Sequence, residues 1–381
     1  MIRPDDFVAA LRAKGASLFV GVPDSLLKEL SLVMQDVLPQ GQHIIAANEG
    51  NALAISMGHY LASNKPAVVY LQNSGLGTLI NPLISLADPV VYSIPALLLI
   101  GWRGEPGLHD EPQHLRQGEL TINLLDQLEI PYKVVDCSCD FEEIVDTAWN
   151  DMEARNAPVA LLVKRGSFSD AGIVISEAKS EGNIRNSSLI REEVIRKILE
   201  LSNAEDCFIA TTGITGRELF GLRASRGEAP KDFLTIGGMG HCSSIALGVA
   251  ISKPKTRVIC LDGDGALLMH MGSVPVIGDF HPGNLVHVLL NNGAHESVGG
   301  QPTAAHSINF CQLAISCGYA NIFRVNDLAS LEAAWFEIQQ SKGPSFVEVL
   351  IIKGSRPGLG RPSIAPKANK EAFMRHLGAL V

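Results

Sequence analysis

The chain has 381 residues, 46% of them apolar and 6% aromatic, and carries a formal net charge of −9. That length accommodates two α/β domains with full cores, and the composition suits parallel sheets built from Val, Ile, Leu and Ala. The acidic balance argues against nucleic acid or an anionic membrane as partner.

Hydrophobic periodicity predicts a helix over 4–15, then a strand over 17–22 that ends in the polar turn Gly21-Val22-Pro23-Asp24-Ser25. The opening stretch, with its early acids, reads as an amphipathic helix and not as a signal peptide. No apolar run approaches the roughly eighteen residues of a membrane span, so a cytoplasmic protein is expected. A helix to Val37 and a strand over 43–47 lead to Asn48-Glu49-Gly50. Glu49 opens a small-residue helix over 51–62, where a carboxylate is favourable simply as a dipole partner.

A strand over 66–71, the glycine turn Gln72-Asn73-Ser74-Gly75-Leu76-Gly77, a helix to Leu86 and a buried strand over 96–101 follow. Residues 102–118, WRGEPGLHDEPQHLRQG, show no periodicity and read as a long functional loop. A helix, a strand over 132–135, a helix over 141–154 and a strand over 159–163 complete the first unit.

The polar stretch SEAKSEGNIRNSS, 176–188, reads as a linker. The expected division is a first domain over 1–170, a linker over 171–188 and a second domain over 189–381. The second begins with a helix from Leu189, has strands over 207–210, 233–236, 258–261, 285–290, 322–325 and 345–351, and closes with a helix over 371–377. The seven cysteines, at 137, 139, 207, 242, 260, 311 and 317, are odd in number and include no CxxC pair. They suggest neither a zinc site nor a disulfide framework, and are expected to be buried thiols.

The segment from 257 to 292 carries the chemistry. A β-branched run stops at Gly263-Asp264-Gly265, a helical segment follows, and a second apolar run closes at Asn291-Asn292. Both polar turns thus fall at carboxyl ends of strands, which in a parallel sheet lie side by side where ligands bind. Asp264 supplies a hard anionic oxygen and Asn292 a neutral amide oxygen, the ligand types Mg²⁺ prefers. With a helix N-terminus beside them, they describe a site for a magnesium-bound diphosphate. A dinucleotide turn lacks its third glycine, since Leu268 stands there, and no GxxxxGK[ST] occurs.

Sliding the sequence by 190 residues lays EGNALAISMGHYLASNKPAVVYLQNSG on MGHCSSIALGVAISKPKTRVICLDGDG without a gap, so that Glu49 meets Met239, Gly58 meets Gly248 and Gly75 meets Gly265. The two halves are therefore expected to be similar parallel-sheet α/β domains.

GDG followed by about 25 residues and NN resembles the cofactor motif of thiamin-diphosphate enzymes. The resemblance implies a thiamin-diphosphate-binding fold, a pyrimidine domain followed by a diphosphate domain without a middle domain, with sites shared across a homodimer or larger homo-oligomer. It implies Asp264, Asn292 and the Ala294 carbonyl as Mg²⁺ ligands. It also implies Glu49 as the catalytic acid that exchanges a proton with the pyrimidine ring, and Met239 as the wedge that bends the cofactor. The Gly237 carbonyl would then accept from the cofactor amino group. Thr212, Gly213 and Thr215 would line the diphosphate, with backbone N–H groups from Gly265 and Ala266.

Further segments, among them GVPDSLLK, RGEPGLHDEPQHLRQG, TTGITGREL, NNGAHESVGGQPT and GLGRP, resemble the phosphonopyruvate decarboxylases. That likeness implies a small-molecule 2-oxo acid substrate, 3-phosphonopyruvate, cleaved to phosphonoacetaldehyde and CO₂. The sulfopyruvate decarboxylases share the short architecture and are the near alternative; an NAD-type oxidoreductase is the alternative from another class. Asp24, Ser25, Arg103 and His295 are the candidate substrate contacts, and Asp110 and His114 the candidate catalytic acid–base residues. Arg116, Arg356 and Arg361 are further loop cations suited to a dianion.

Overall fold

The computed structural model describes residues 1–173 and 187–380. They fall into two compact units, one of 1–176 with 298–301 and the other of 177–297 with 302–381. Most of the expected linker, 174–186, lies outside the described residues.

The first unit holds strands β1 (Phe19–Gly21), β2 (His43–Ile45), β3 (Ala67–Gln72), β4 (Ala96–Gly101), β5 (Tyr132–Val135) and β6 (Val159–Val163). All are parallel, in the order β2-β1-β3-β4-β6-β5. The second unit holds β7 (Cys207–Ala210), β8 (Phe233–Leu234), β9 (Val258–Gly263) and β10 (Leu285–Asn291). Two two-residue strands follow, β11 (Ala294–His295) and β12 (Gln301–Pro302), and then β13 (Asn321–Val325) and β14 (Ser345–Leu350). Its sheet runs β8-β7-β9-β10-β14-β13, again parallel throughout.

The two orders are the same order. Adding 190 carries β1 towards β7, β2 to β8, β3 to β9, β4 to β10, β5 to β13 and β6 towards β14, so the internal repeat is a repeat of topology. The physical basis is plain in the central strands. ALLLIG of β4 and LVHVLLN of β10 are buried throughout, as parallel strands covered on both faces must be. Each sheet accordingly has two apolar layers, with Trp149 filling one layer of the first unit and Trp335 one of the second.

Helix Glu49–Ser63 starts where Asn48 accepts the Asn51 backbone N–H at 2.9 Å and stops at Asn64, whose φ of 55° is left-handed. The expected loop 102–118 is shorter than its lack of periodicity suggested. Pro112 opens helix Pro112–Gln127, so only 102–111 is irregular. That remainder is pinned: Trp102 Nε1 donates to the Gly118 carbonyl at 3.0 Å, and a side chain on Gly118 would strike the backbone of Gly104. The cysteine expectation needs one correction, because Cys137 is exposed and Cys139, Cys311 and Cys317 are half-buried. Among the described residues no helix is long and apolar enough to cross a membrane.

Candidate active site

In each unit the polar turns gather at the carboxyl edge of neighbouring strands. In the first unit these are Asp24-Ser25 after β1, Glu49 after β2, Asn73–Thr78 after β3 and Trp102–Arg103 after β4.

Glu49 is buried at the first position of its helix, and its Oε2 lies 2.8 Å from the Thr78 hydroxyl. Any side chain on Gly75 would collide with the Glu49 carboxylate. Gly75 is therefore small for a steric reason and Thr78 is a donor to the acid. Sequence reading flagged the glycine turn but missed Thr78, which looks like an ordinary helix residue.

Asp110, read from sequence as an acid–base candidate, has both oxygens occupied. It accepts from Arg103 Nε at 2.8 Å and Nη2 at 2.5 Å, from the backbone N–H groups of Gly104 and Glu111, and pairs with Arg165 at 3.0 Å. Burial alone would raise it, yet the Arg103 hydrogen bonds and those two amides hold its carboxyl well below the usual carboxylate range. Held so, Asp110 orients Arg103; it is not poised to exchange protons at neutral pH.

Arg103 Nη1 reaches the exposed Ser25 hydroxyl at 2.8 Å, while its backbone N–H and carbonyl are held by the buried Asn73 side chain at 3.2 and 2.8 Å. Asn73 is a second residue that sequence reading missed. His114 is half-buried in the first turn of its helix, and Arg116 sits in solvent paired with Glu119.

Asp24 is 1% exposed and its Oδ1 has no partner among the described residues. Burial pushes it up to about 6, against the pull of Arg103 and nearby amides.

In the second unit the turns after β8, β7, β9 and β10 are again adjacent. Asp264 is buried at the start of helix Asp264–Met269; its Oδ2 accepts from the Thr303 hydroxyl at 2.5 Å, and it also takes the Asn292 backbone N–H. Burial pushes it up to about 6 in spite of these donors. A hydroxyl and an amide do not repay a carboxylate for leaving water, and a dication would. Asn292 and Ala294 are buried in the same turn, with Gly293 at φ 65° between them, so the donor set is oxygen-rich and hard. It fits Mg²⁺.

The anion-binding side is built from three turns. Gly213, at φ 90°, precedes helix Ile214–Ser225, and Thr215 is buried in its first turn. Thr212 is tied by its hydroxyl to the Ile236 carbonyl at 3.1 Å, while Thr211 Oγ1 is buried without a partner among the described residues. Gly265 and Ala266 lie in the first turn after Asp264, where helical amides lack intrahelical partners. The half-buried His295 ring lies over Gly265, where an added side chain would stand 3.0 Å from it, and burial pushes the imidazole down to about 4. Met239 is half-buried in the turn after β8, between Gly237-Gly238 and Gly240. Gly240 has φ 89°, and a side chain there would meet His270 at 2.6 Å.

Residues 4–130 match the family described as thiamine pyrophosphate enzyme, N-terminal TPP binding domain, and residues 219–349 match thiamine pyrophosphate enzyme, C-terminal TPP binding domain. The class is thereby defined: an enzyme of two thiamin-diphosphate-binding domains with no middle domain. The chain is 32% identical to a phosphonopyruvate decarboxylase of Streptomyces viridochromogenes over 379 residues, 96% of this chain and 92% of that one. It is 31% identical to a phosphonopyruvate decarboxylase of Streptomyces hygroscopicus over the same shares, and 28% identical to a sulfopyruvate decarboxylase of Methanosarcina acetivorans over 97% of each. The chain belongs to this family of thiamin-diphosphate-dependent decarboxylases and is a carboxy-lyase. A nucleotide-dependent oxidoreductase is set aside by these matches.

The position of Asp24 sets a pH dependence. Its folded pKa of about 6 lies above the unfolded value near 3.9, so the stability it contributes is present below about pH 4 and lost as pH rises through 6. Asp24→Asn is expected to raise stability above pH 7 by of order 2–3 kcal/mol and to change little near pH 4. Urea unfolding of the two proteins at both pH values checks this; an equal effect at both would refute the buried, proton-holding carboxylate.

Proposed function

We propose that the enzyme decarboxylates 3-phosphonopyruvate to phosphonoacetaldehyde, with Mg²⁺ and thiamin diphosphate held by residues 189–381 and the aminopyrimidine met by residues 1–170. The single observation that carries the cofactor assignment is the buried, under-compensated Asp264 carboxylate in one turn system with Asn292 and Ala294. Thiamin diphosphate, when bound, would supply a nucleophilic carbon for the oxo group and an electron sink for the pair released as CO₂ leaves.

The chain's own residues do the rest. Thr78 occupies one oxygen of Glu49, and the other holds and moves a proton at the aminopyrimidine. The Thr215 hydroxyl and the main-chain amides of Thr212, Gly213, Gly265 and Ala266 would offer donors to the diphosphate, the Thr212 hydroxyl being taken by the Ile236 carbonyl, and Met239 and the Gly237 carbonyl would meet the cofactor from the turn after β8. On the substrate side, Ser25 and Arg103 provide a hydroxyl and a guanidinium for the phosphonate, with Asp24 beneath them and Asp110 fixing the guanidinium's direction. Of the two histidines singled out in the sequence, His114 is the candidate proton donor, whereas the half-buried, neutral His295 is suited to a hydrogen bond with the substrate.

The two phosphonopyruvate decarboxylases are 32% and 31% identical to this chain against 28% for the sulfopyruvate decarboxylase of Methanosarcina acetivorans, and this higher identity supports phosphonopyruvate over sulfopyruvate.

We propose a homodimer or larger assembly. Leu61 and Val90 in the first unit and Ile251 and Phe280 in the second are exposed large apolar residues at positions 190 apart. A repeat of topology that also repeats uncovered apolar positions suits equivalent faces closed by a second copy.

Release of CO₂ by the Mg²⁺–thiamin-diphosphate enzyme is expected to be fastest with phosphonopyruvate; equal turnover of pyruvate, or faster turnover of sulfopyruvate, would reject the substrate. Glu49→Gln is expected to bind cofactor normally and to lose at least about a thousandfold in turnover, whereas Asp264→Ala is expected to lose Mg²⁺-dependent cofactor binding itself. Titration of cofactor against both variants separates the two roles. Sedimentation of the active enzyme should give a dimer or more; an active monomer contradicts the shared site.

A further inference from the structure

The Asn292 side chain has two unlike ends, an oxygen that accepts and a nitrogen that donates. Oδ1 takes the Ala294 backbone N–H at 3.0 Å, and Nδ2 donates to Glu296 Oε2 at 2.8 Å. Turning the amide over would set NH₂ against an N–H and oxygen against a carboxylate. Both bonds therefore select one orientation, and Oδ1 keeps a lone pair for a cation.

Glu296 is itself held from two sides. Arg191 donates to the same Oε2, and the Gly354 backbone N–H reaches Oε1 at 2.7 Å. Arg191 is buried and also lies 3.7 Å from Glu218, a fully buried carboxylate with no hydrogen-bond partner among the described residues. Helix Arg191–Leu201 and the chain beyond β14 thus both reach Glu296, with Glu218 of helix Ile214–Ser225 beside Arg191, and Glu296 touches the nitrogen end of the Asn292 carboxamide.

We propose that Glu296 is a positioning residue: it fixes which end of the Asn292 carboxamide meets the divalent cation, and so makes Asn rather than Asp the residue this site accepts at 292. The inference rests on the reading of Asp264 and Asn292 as cation ligands. Asn292→Asp would put an anionic oxygen, in place of an N–H, at hydrogen-bond distance from Glu296, where like charges oppose each other. Exchanging the pair, with Asn292→Asp and Glu296→Gln together, keeps the net charge and allows a hydrogen bond of reversed polarity between 292 and 296, although Arg191 then loses its acceptor at that end of the side chain. An oxygen still faces the cation.

The test is Mn²⁺ binding, followed by electron paramagnetic resonance on the full chain with thiamin diphosphate present, alongside urea unfolding of each variant. Asn292→Asp and Glu296→Gln singly are each expected to weaken Mn²⁺ binding about 10–100-fold. The double exchange is expected to recover part of that loss, so that its effect falls well short of the two single effects combined. Losses that simply add in the double variant overturn the proposal. So does a Glu296→Gln variant that is destabilised yet binds Mn²⁺ like the parent, the signature of a residue that only neutralises Arg191. Should Asn292→Asp fail to fold alone, Glu296→Gln against the double exchange makes the same comparison. Asp264→Ala keeps the two readings apart: if it still binds Mn²⁺, the cation site itself is wrong, whereas its loss with no recovery in the exchange removes only the role of Glu296.

Discussion

A carboxylate taken out of water at the mouth of a helix needs compensation, and the second unit supplies too little of it by hydrogen bonds alone. Asp264 has a threonine hydroxyl and a main-chain amide, and burial still pushes it up to about 6. The oxygen-rich turn after β10 is placed beside it because β9 and β10 are hydrogen-bonded neighbours in register, Leu290 against Gly263. Strand adjacency therefore brings together the oxygen ligands of the proposed metal site. The same adjacency, β8-β7-β9-β10, puts the Met239 turn, the threonine turn and the Asp264 turn in a row along one edge.

The first unit uses the same layout for different chemistry. Its equivalent edge carries Asp24, Glu49, Asn73 and Arg103 in the turns after β1, β2, β3 and β4. Where the second unit spends its turns on glycines and amides that suit an anion, the first spends them on titratable groups in contrasting states. Asp110 is locked as an anion between two guanidinium groups, whereas Asp24 is driven towards its neutral form. One carboxylate orients and the other is strained: Asp110 takes direct hydrogen bonds from Arg103 and two main-chain amides, whereas at Asp24 burial outweighs the pull of Arg103 and nearby amides.

The candidate groups at these turns are set in place by the residues packed and hydrogen-bonded against them. Gly75 leaves room for Glu49, Asn73 clamps the main chain of Arg103, and Glu296 holds the amide of Asn292. Such supports govern precision because a functional group is only as well placed as the side chain behind it.

Much was legible beforehand. The periods of apolar residues located the strands to within a few positions, because parallel strands covered on both faces must be continuously apolar, and the GDG and NN turns marked the strand ends by their chemistry. The 190-residue repeat disclosed two like domains, though strand order itself had to come from the fold. What sequence could not carry was contact between residues distant along the chain. Thr78 meeting Glu49, Asn73 meeting Arg103, and Arg191 meeting Glu296 more than a hundred residues away leave no periodic trace. The fate of Asp110 was undecidable for the same reason: whether a carboxylate is a proton carrier or a strut depends on which cations fold against it, and only the tertiary structure chose.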